Sequence, residues 1–168
     1  MLSPFSPEAI QRILERLSET SIADVDDREL SVEFKESFNK AGIPVYGRTM
    51  AGFANAQGGY LVFGVRDEPR EIVGLCSDQF FTLDPAITTN NLNEYFEPAL
   101  TWKHHDIVVG GKRLGLIYVG EANRKPAICR KHKDRDLREG AIYYRYQGRT
   151  QEIRPAELRQ IMDAERQK

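Results

Sequence analysis

Glu33-Phe34-Lys35, Phe53-Ala54-Asn55-Ala56-Gln57-Gly58-Gly59, Gly64-Val65-Arg66-Asp67 and Ile72-Val73-Gly74 all fall within residues 29–75, and this stretch decides the fold. Leu30, Val32 and Phe34 alternate with Ser31, Glu33 and Lys35, the period of a short half-buried strand. From Val45 to Gln57 the spacing of Tyr46, Met50, Phe53 and Ala54 predicts a helix. Gly58-Gly59 ends it, because a helix C-terminus often requires a residue with positive φ. Tyr60 to Val65 is a compact apolar run between glycines, the pattern of a central strand buried on both faces. Asp67-Glu68-Pro69-Arg70 turns, and Glu71 to Gly74 returns as a strand. Gly42-Ile43-Pro44 is read as a turn.

Outward from this stretch the signals are local and clear. Ser6-Pro7-Glu8 opens a first helix, with Ser6 suited to the N-cap, Pro7 to the first helical position and Glu8 to the dipole. Ile10, Ile13, Leu14 and Leu17 form its apolar stripe. Asp84 to Phe96 reads as a third helix. Asp106–Val109 and Leu114–Val119 flank Gly110-Gly111, a hairpin signal. Pro126–Cys129 and Ile142–Tyr146 are further strands around the charged loop Arg130–Glu139, and Pro155 starts a last helix. The expected class is α/β (α+β), a single mixed sheet flanked by helices. Residues 1–23 are expected to form an N-terminal helix and residues 24–168 one compact domain.

Composition excludes several classes. With 40% apolar and 29% charged residues, the 168-residue chain has the balance of an ordinary globular protein. No uncharged apolar run is long enough to cross a bilayer, and Met1-Leu2-Ser3-Pro4-Phe5-Ser6 lacks the pattern of a signal peptide. Cys76 and Cys129 form neither a Cys-x-x-Cys pair nor a disulfide framework, so a reducing cytoplasm is the simplest expectation. The net charge of −1 conceals an asymmetry: residues 1–100 carry 8 Lys/Arg and 16 Asp/Glu (net −8), and residues 124–154 carry 10 and 4 (net +6).

Two groups of residues carry candidate chemistry. Glu29 and Glu33, four apart in an extended segment, project to one face together with Lys35. Asp67 follows the central strand. If these strands are neighbours, the three carboxylates form a site for Mg²⁺ or Mn²⁺, with Lys35 neutralising charge on a phosphodiester. The same spacing also describes surface acids, with Glu33 and Lys35 paired across strands. The second group is Lys125, Arg130, Lys131, Lys133, Arg135, Arg138, Arg145 and Arg149, cations suited to phosphates. Tyr143, Tyr144 and Tyr146 lie beside them, suited either to stacking on bases or to a sheet core. Asn55 is the one residue of its motif with a role beyond packing, as a helix cap or a tether for the Asp67 loop. His104, His105 and His132 have no metal-ligand spacing and read as surface or packing residues. No Gly-x-x-x-x-Gly-Lys-Ser/Thr string and no Gly-x-Gly-x-x-Gly helix start exists, so ATP binding has little support.

The four ordered blocks Glu33-Phe34-Lys35, Phe53-Ala54-Asn55-x-x-Gly58-Gly59, Gly64-Val65-x-Asp67 and Glu139-Gly140-Ala141-Ile142-Tyr143-Tyr144-Arg145 resemble the Schlafen-type AlbA-like domain, over roughly Arg28 to Ile161. That resemblance implies nucleic-acid binding. It also implies, from some Schlafen proteins, a metal-dependent endoribonuclease acting on transfer and ribosomal RNA. The carboxylate triad of such an enzyme would fall on Glu33, on Asp67 and on an acid just upstream. The family spacing Glu-Ser-x-x-x-Glu-Phe-Lys places that acid at position 28, where this chain has Arg28, with Glu29 one residue later. By analogy with vertebrate proteins that pair two such lobes, the resemblance implies a homodimer. Three readings follow: a nucleic-acid-binding domain using the basic C-terminal half, a metal-dependent ribonuclease, or an oligomerising adaptor.

Overall fold

A computed structural model describes residues 3–17 and 31–168. Helix α1 spans Pro7–Leu17 and opens as its sequence predicts, with the Ser6 hydroxyl accepting from the Ala9 N–H at 3.2 Å. Strand β1 (Val32–Lys35), a 3₁₀ turn at Lys40–Gly42, helix α2 (Ile43–Asn55) and strand β2 (Gly59–Phe63) follow. Pro44 sits in the first turn of α2, where its missing N–H has no helical partner to lose. The helix therefore begins at Ile43, and the expected turn at residues 42–44 is its N-terminus. Gly58, at φ 79°, stops it.

Strands β3 (Val65–Asp67) and β4 (Arg70–Ile72) form a short ribbon, and α3 (Pro85–Tyr95) is N-capped by the Asp84 carboxylate. Strands β5 (Phe96–Glu97), β6 (Trp102–Val109) and β7 (Lys112–Val119) are followed by β8 (Ile128–Cys129), β9 (Tyr143–Tyr146), β10 (Arg149–Glu152) and helix α4 (Pro155–Arg166). The main sheet is four-stranded and mixed, in the order β1-β2-β7-β6, with β1 parallel to β2 and the other pairs antiparallel. The chain thus has the expected α+β class, a mixed sheet flanked by helices. Outside that sheet lie three two-stranded ribbons, β3-β4, β5-β8 and β9-β10. No helix among the described residues is long and apolar enough to cross a membrane. The expected boundary between residues 23 and 24 lies outside the described residues.

Strand β2 divides the core. Leu61 and Phe63 point to α2 and join Met50, Phe53, Ile117 and Val119. Tyr60 and Val62 point the other way and join Ile13 of α1, Leu114 and Leu116. Both faces of β2 are buried, which is why its sequence is continuously apolar rather than alternating. Helix α2 is buried along most of its length, because the sheet covers one side and the β9-β10 ribbon covers another.

Candidate functional site

Side-chain alternation along β1 sends Val32 and Phe34 toward the α1 cluster and Glu33 and Lys35 toward α2. There the Arg145 guanidinium of β9 meets Glu33, with Nη1 2.5 Å from Oε2. Arg145 also donates to Thr150 Oγ1 at 3.2 Å and to the Val32 carbonyl at 3.4 Å. Its guanidinium carbon lies 5.2 Å from the centre of the Phe53 ring, and its side chain is 5% exposed. Burial pulls the Arg145 pKa below its ordinary value, while the charge of Glu33 and its hydrogen bond oppose that shift. The second Glu33 oxygen pairs with Lys35 Nζ at 3.1 Å.

Asn55 ends α2 at 1% exposure. Its amide donates to the carbonyls of Ala127 (3.0 Å) and Tyr143 (2.8 Å), and its oxygen accepts from the Ala127 N–H (2.7 Å). It therefore ties α2 to the segments on either side of the charged loop, instead of holding the Asp67 loop. Tyr143 is buried, and its hydroxyl accepts from the Arg138 N–H at 3.0 Å. Burial is the main cause of its raised pKa. Gly59 completes the junction: a Cβ there would lie 2.6 Å from the Phe53 ring and 2.8 Å from the Ser31 carbonyl oxygen. Three of the four sequence blocks thus meet at one buried polar knot, Glu33 from the first, Phe53, Asn55 and Gly59 from the second, and Tyr143 and Arg145 from the last.

Glu33 and Asp67, the two carboxylates of the expected metal site that lie among the described residues, do not come together. Asp67 pairs with Arg70 at 3.2 Å. Arg70 lies over the Phe34 ring and donates to the Arg16 carbonyl, which places this pair on the α1 side of β1, away from Glu33. Glu29 lies outside the described residues. Among the described residues no three His, Cys, Asp or Glu side chains form a group able to hold a metal ion. Glu33 and Asp67, each already bound to cations on opposite sides of one strand, do not fit a shared Mg²⁺ or Mn²⁺.

The basic segment divides into three sets. Arg145 is in the core, which corrects the expectation of a surface cation. Lys125 donates to the Ala56 carbonyl (2.8 Å) and pairs with Glu121 (2.6 Å). Arg130 donates to the Asn93 carbonyl at the C-terminal end of α3 (2.8 Å), and Lys131 lies 3.9 Å from Glu94 there, positions that the helix dipole favours for cations. Arg138 pairs with Glu152 at 2.7 Å. Lys133, Arg135 and Arg149 make no side-chain hydrogen bond or ion pair with the described residues, and Arg135 and Arg149 are exposed. Tyr144 and Tyr146 sit on the outer face of β9, half-buried, with ring centres 5.0 Å apart. Sequence reasoning missed Arg48, a cation on α2 whose guanidinium lies 5.0 Å from the Tyr143 ring centre. The only signal for it was a lone charge in an otherwise apolar helix.

The sequence pattern of the Schlafen AlbA_2 family matches residues 29–154, which contain the whole knot. The chain belongs to this family. A relative from Ureaplasma parvum serovar 3, named as the uncharacterised ATP-binding protein UU034, is 38% identical over 146 residues. That match takes in 79% of this chain and 41% of the relative, so this AlbA_2 chain spans less than half of that protein's length. A crystal structure of the DIP2311 protein from Corynebacterium diphtheriae superposes with a TM-score of 0.60 over 94% of this chain and 28% of its own, at 19% identity. That likeness is one of fold. The AlbA_2 motifs of this chain are in large part the residues that hold β1, α2 and β9 together.

Proposed function

We propose that this AlbA_2 domain binds nucleic acid, DNA or RNA, through the unpaired cations of its C-terminal half. The observation that carries this reading is the set Lys133, Arg135 and Arg149. These cations have no anionic partner among the described residues and lie within a segment of net charge +6 (10 Lys/Arg against 4 Asp/Glu). Leaving cations unpaired on one segment while residues 1–100 are net acidic is costly by self-repulsion, and a polyanion relieves it. Arg130, Lys131 and Arg138 flank them with heads still partly in solvent and add field without being free. Arg145 and Lys125 position the ribbon and the loop and do not contact phosphate.

The test is fluorescence anisotropy with labelled transfer RNA and with single- and double-stranded DNA across a salt series. Binding that weakens linearly in log–log form is expected. The triple variant Lys133→Glu/Arg135→Glu/Arg149→Glu should flatten the slope by about 0.7 to 0.9 for each phosphate that is no longer neutralised. Affinity that does not change with salt, or that survives the triple variant, would reject this surface and favour an apolar protein contact.

A further inference from the structure

Strand β6 is an eight-residue strand at one edge of the sheet, paired to β7 on its inner side. Among the described residues nothing pairs with its outer side. Natural edges of this length are blunted by proline, a bulge or charged side chains; Trp102–Val109 has no proline and no bulge, and of its charged side chains, Lys103 and Asp106, only Asp106 is on a residue whose backbone faces outward. The two-residue turn Gly110-Gly111 closes on the pair Val109/Lys112, which exchanges both backbone bonds. Lys103, His105, Ile107 and Val109 therefore direct their N–H and C=O groups to β7, and Trp102, His104, Asp106 and Val108 direct theirs outward. The same four outward residues share the sheet face on which Trp102 packs against the α2 core. Val108 among them is a large apolar side chain left 65% exposed.

We propose that β6 is the homodimer interface, pairing antiparallel with β6 of a second copy about a twofold axis through His105. Antiparallel pairing about such an axis keeps each side chain on its own face, so only residues of the same parity oppose one another. Centred on His105, the register sets Val108 against Trp102 of the other copy and His104 against Asp106, each pair occurring twice. The exposed valine gains an apolar neighbour, and each imidazole gains a carboxylate. Every outward backbone group from Trp102 to Val108 gains a partner. Centring on Asp106 would set two carboxylates face to face. Centring on His104 would set Asp106 against Trp102 and leave Val108 past the end of the opposing strand. Self-complementarity at one register identifies the occupant as this chain itself. Two four-stranded sheets become one continuous sheet, with the two α1 layers on a common side and Phe5, stacked on His105 at 5.1 Å, next to the axis.

Light scattering after size exclusion, with sedimentation equilibrium for the dissociation constant, tests this on the full chain. The expected mass is twice 19.2 kDa, about 38 kDa. Asp106→Lys, at an exposed position, takes away the carboxylate that each imidazole faces, sets an ammonium there twice, and should weaken the dimer by about tenfold or more. His104→Glu combined with Asp106→Lys sets a carboxylate against each ammonium at the same register and should restore the dimer. Val108→Lys, also exposed, should weaken it without a charge swap. Circular dichroism and thermal melting verify that each variant is folded. A wild-type monomer throughout the micromolar range would overturn the proposal. So would a dimer indifferent to both Asp106→Lys and Val108→Lys, or a folded double variant that stays monomeric.

Discussion

Replacing Glu33 by alanine removes the anion from a nearly fully buried arginine. The Arg145 guanidinium would keep only the Thr150 hydroxyl and the Val32 carbonyl, with its Nε already without a partner. Breaking a fully buried ion pair from one side costs about 3–5 kcal/mol. Glu33 itself is 22% exposed, so water enters once the carboxylate is gone, and the lower end of that range, about 3 kcal/mol, is the expected loss. With a urea m-value of about 2 kcal/mol/M, the midpoint falls by about 1.5 M. The discriminating experiment is a double-mutant cycle. Arg145→Met alone strands a partly hydrated carboxylate that still has Lys35, and Glu33→Ala combined with Arg145→Met leaves no unpaired charge. The double variant should therefore be more stable than the sum of the single losses by about 1–3 kcal/mol. A Glu33→Ala loss below about 0.5 kcal/mol, or strict additivity in the cycle, would refute the assignment of this pair as a structural clamp. The point bears on function, since any activity missing in a Glu33 variant has to be separated from loss of the fold.

Three further outcomes are expected. Asn55→Ala orphans the Ala127 N–H and two carbonyls, costing about 3 kcal/mol and lowering Tm by about 10 °C in a scanning melt; a shift of a degree or two would contradict the tether. Gly59→Ala drives a methyl into the Ser31 carbonyl and the Phe53 ring and should cost about 1–3 kcal/mol by denaturant titration, with a neutral result ruling out the close approach. Tyr60 and Tyr143 both have pKa values raised by burial above the ordinary 10.0. The folded chain therefore holds those protons more tightly than the unfolded chain, and stability contributed below pH 10 is lost as pH rises from the ordinary value through the raised ones. Phenolate absorbance should show some tyrosines titrating only with unfolding, and a single unperturbed titration of all tyrosines would disprove their burial.

Much of the fold was legible because its signals are local. Ser6 and Gly110-Gly111 act on backbone groups within a few residues of themselves, and the structure places the cap and the hairpin where those residues predict. The central strand was legible from its uninterrupted apolar run. The start of α2 was misplaced by reading Gly42-Ile43-Pro44 as a turn, since proline has the same local meaning in a turn and in a first helical turn. The site was less legible. Arg145 lies between tyrosines in a basic segment, and nothing nearby in sequence distinguishes it from Arg149. Its burial depends on Glu33, which is 112 residues away. Asn55 was marked as special, but its partners Ala127 and Tyr143 offer only backbone atoms, which carry no sequence signature.

The amino-acid sequence by itself determined the element order, the α+β class, the charge asymmetry and the ordered motifs that mark the family, because periodicity, turn chemistry and composition are properties of neighbouring residues. Only the tertiary structure decided which charges are free. Whether a lysine or arginine meets a carbonyl, a carboxylate or open solvent depends on how segments far apart in the chain come together. That is why eight similar cations separated into a core clamp, ties within the fold and an unpaired set, and why Glu33 and Asp67, close in the motif order, ended on opposite sides of a strand.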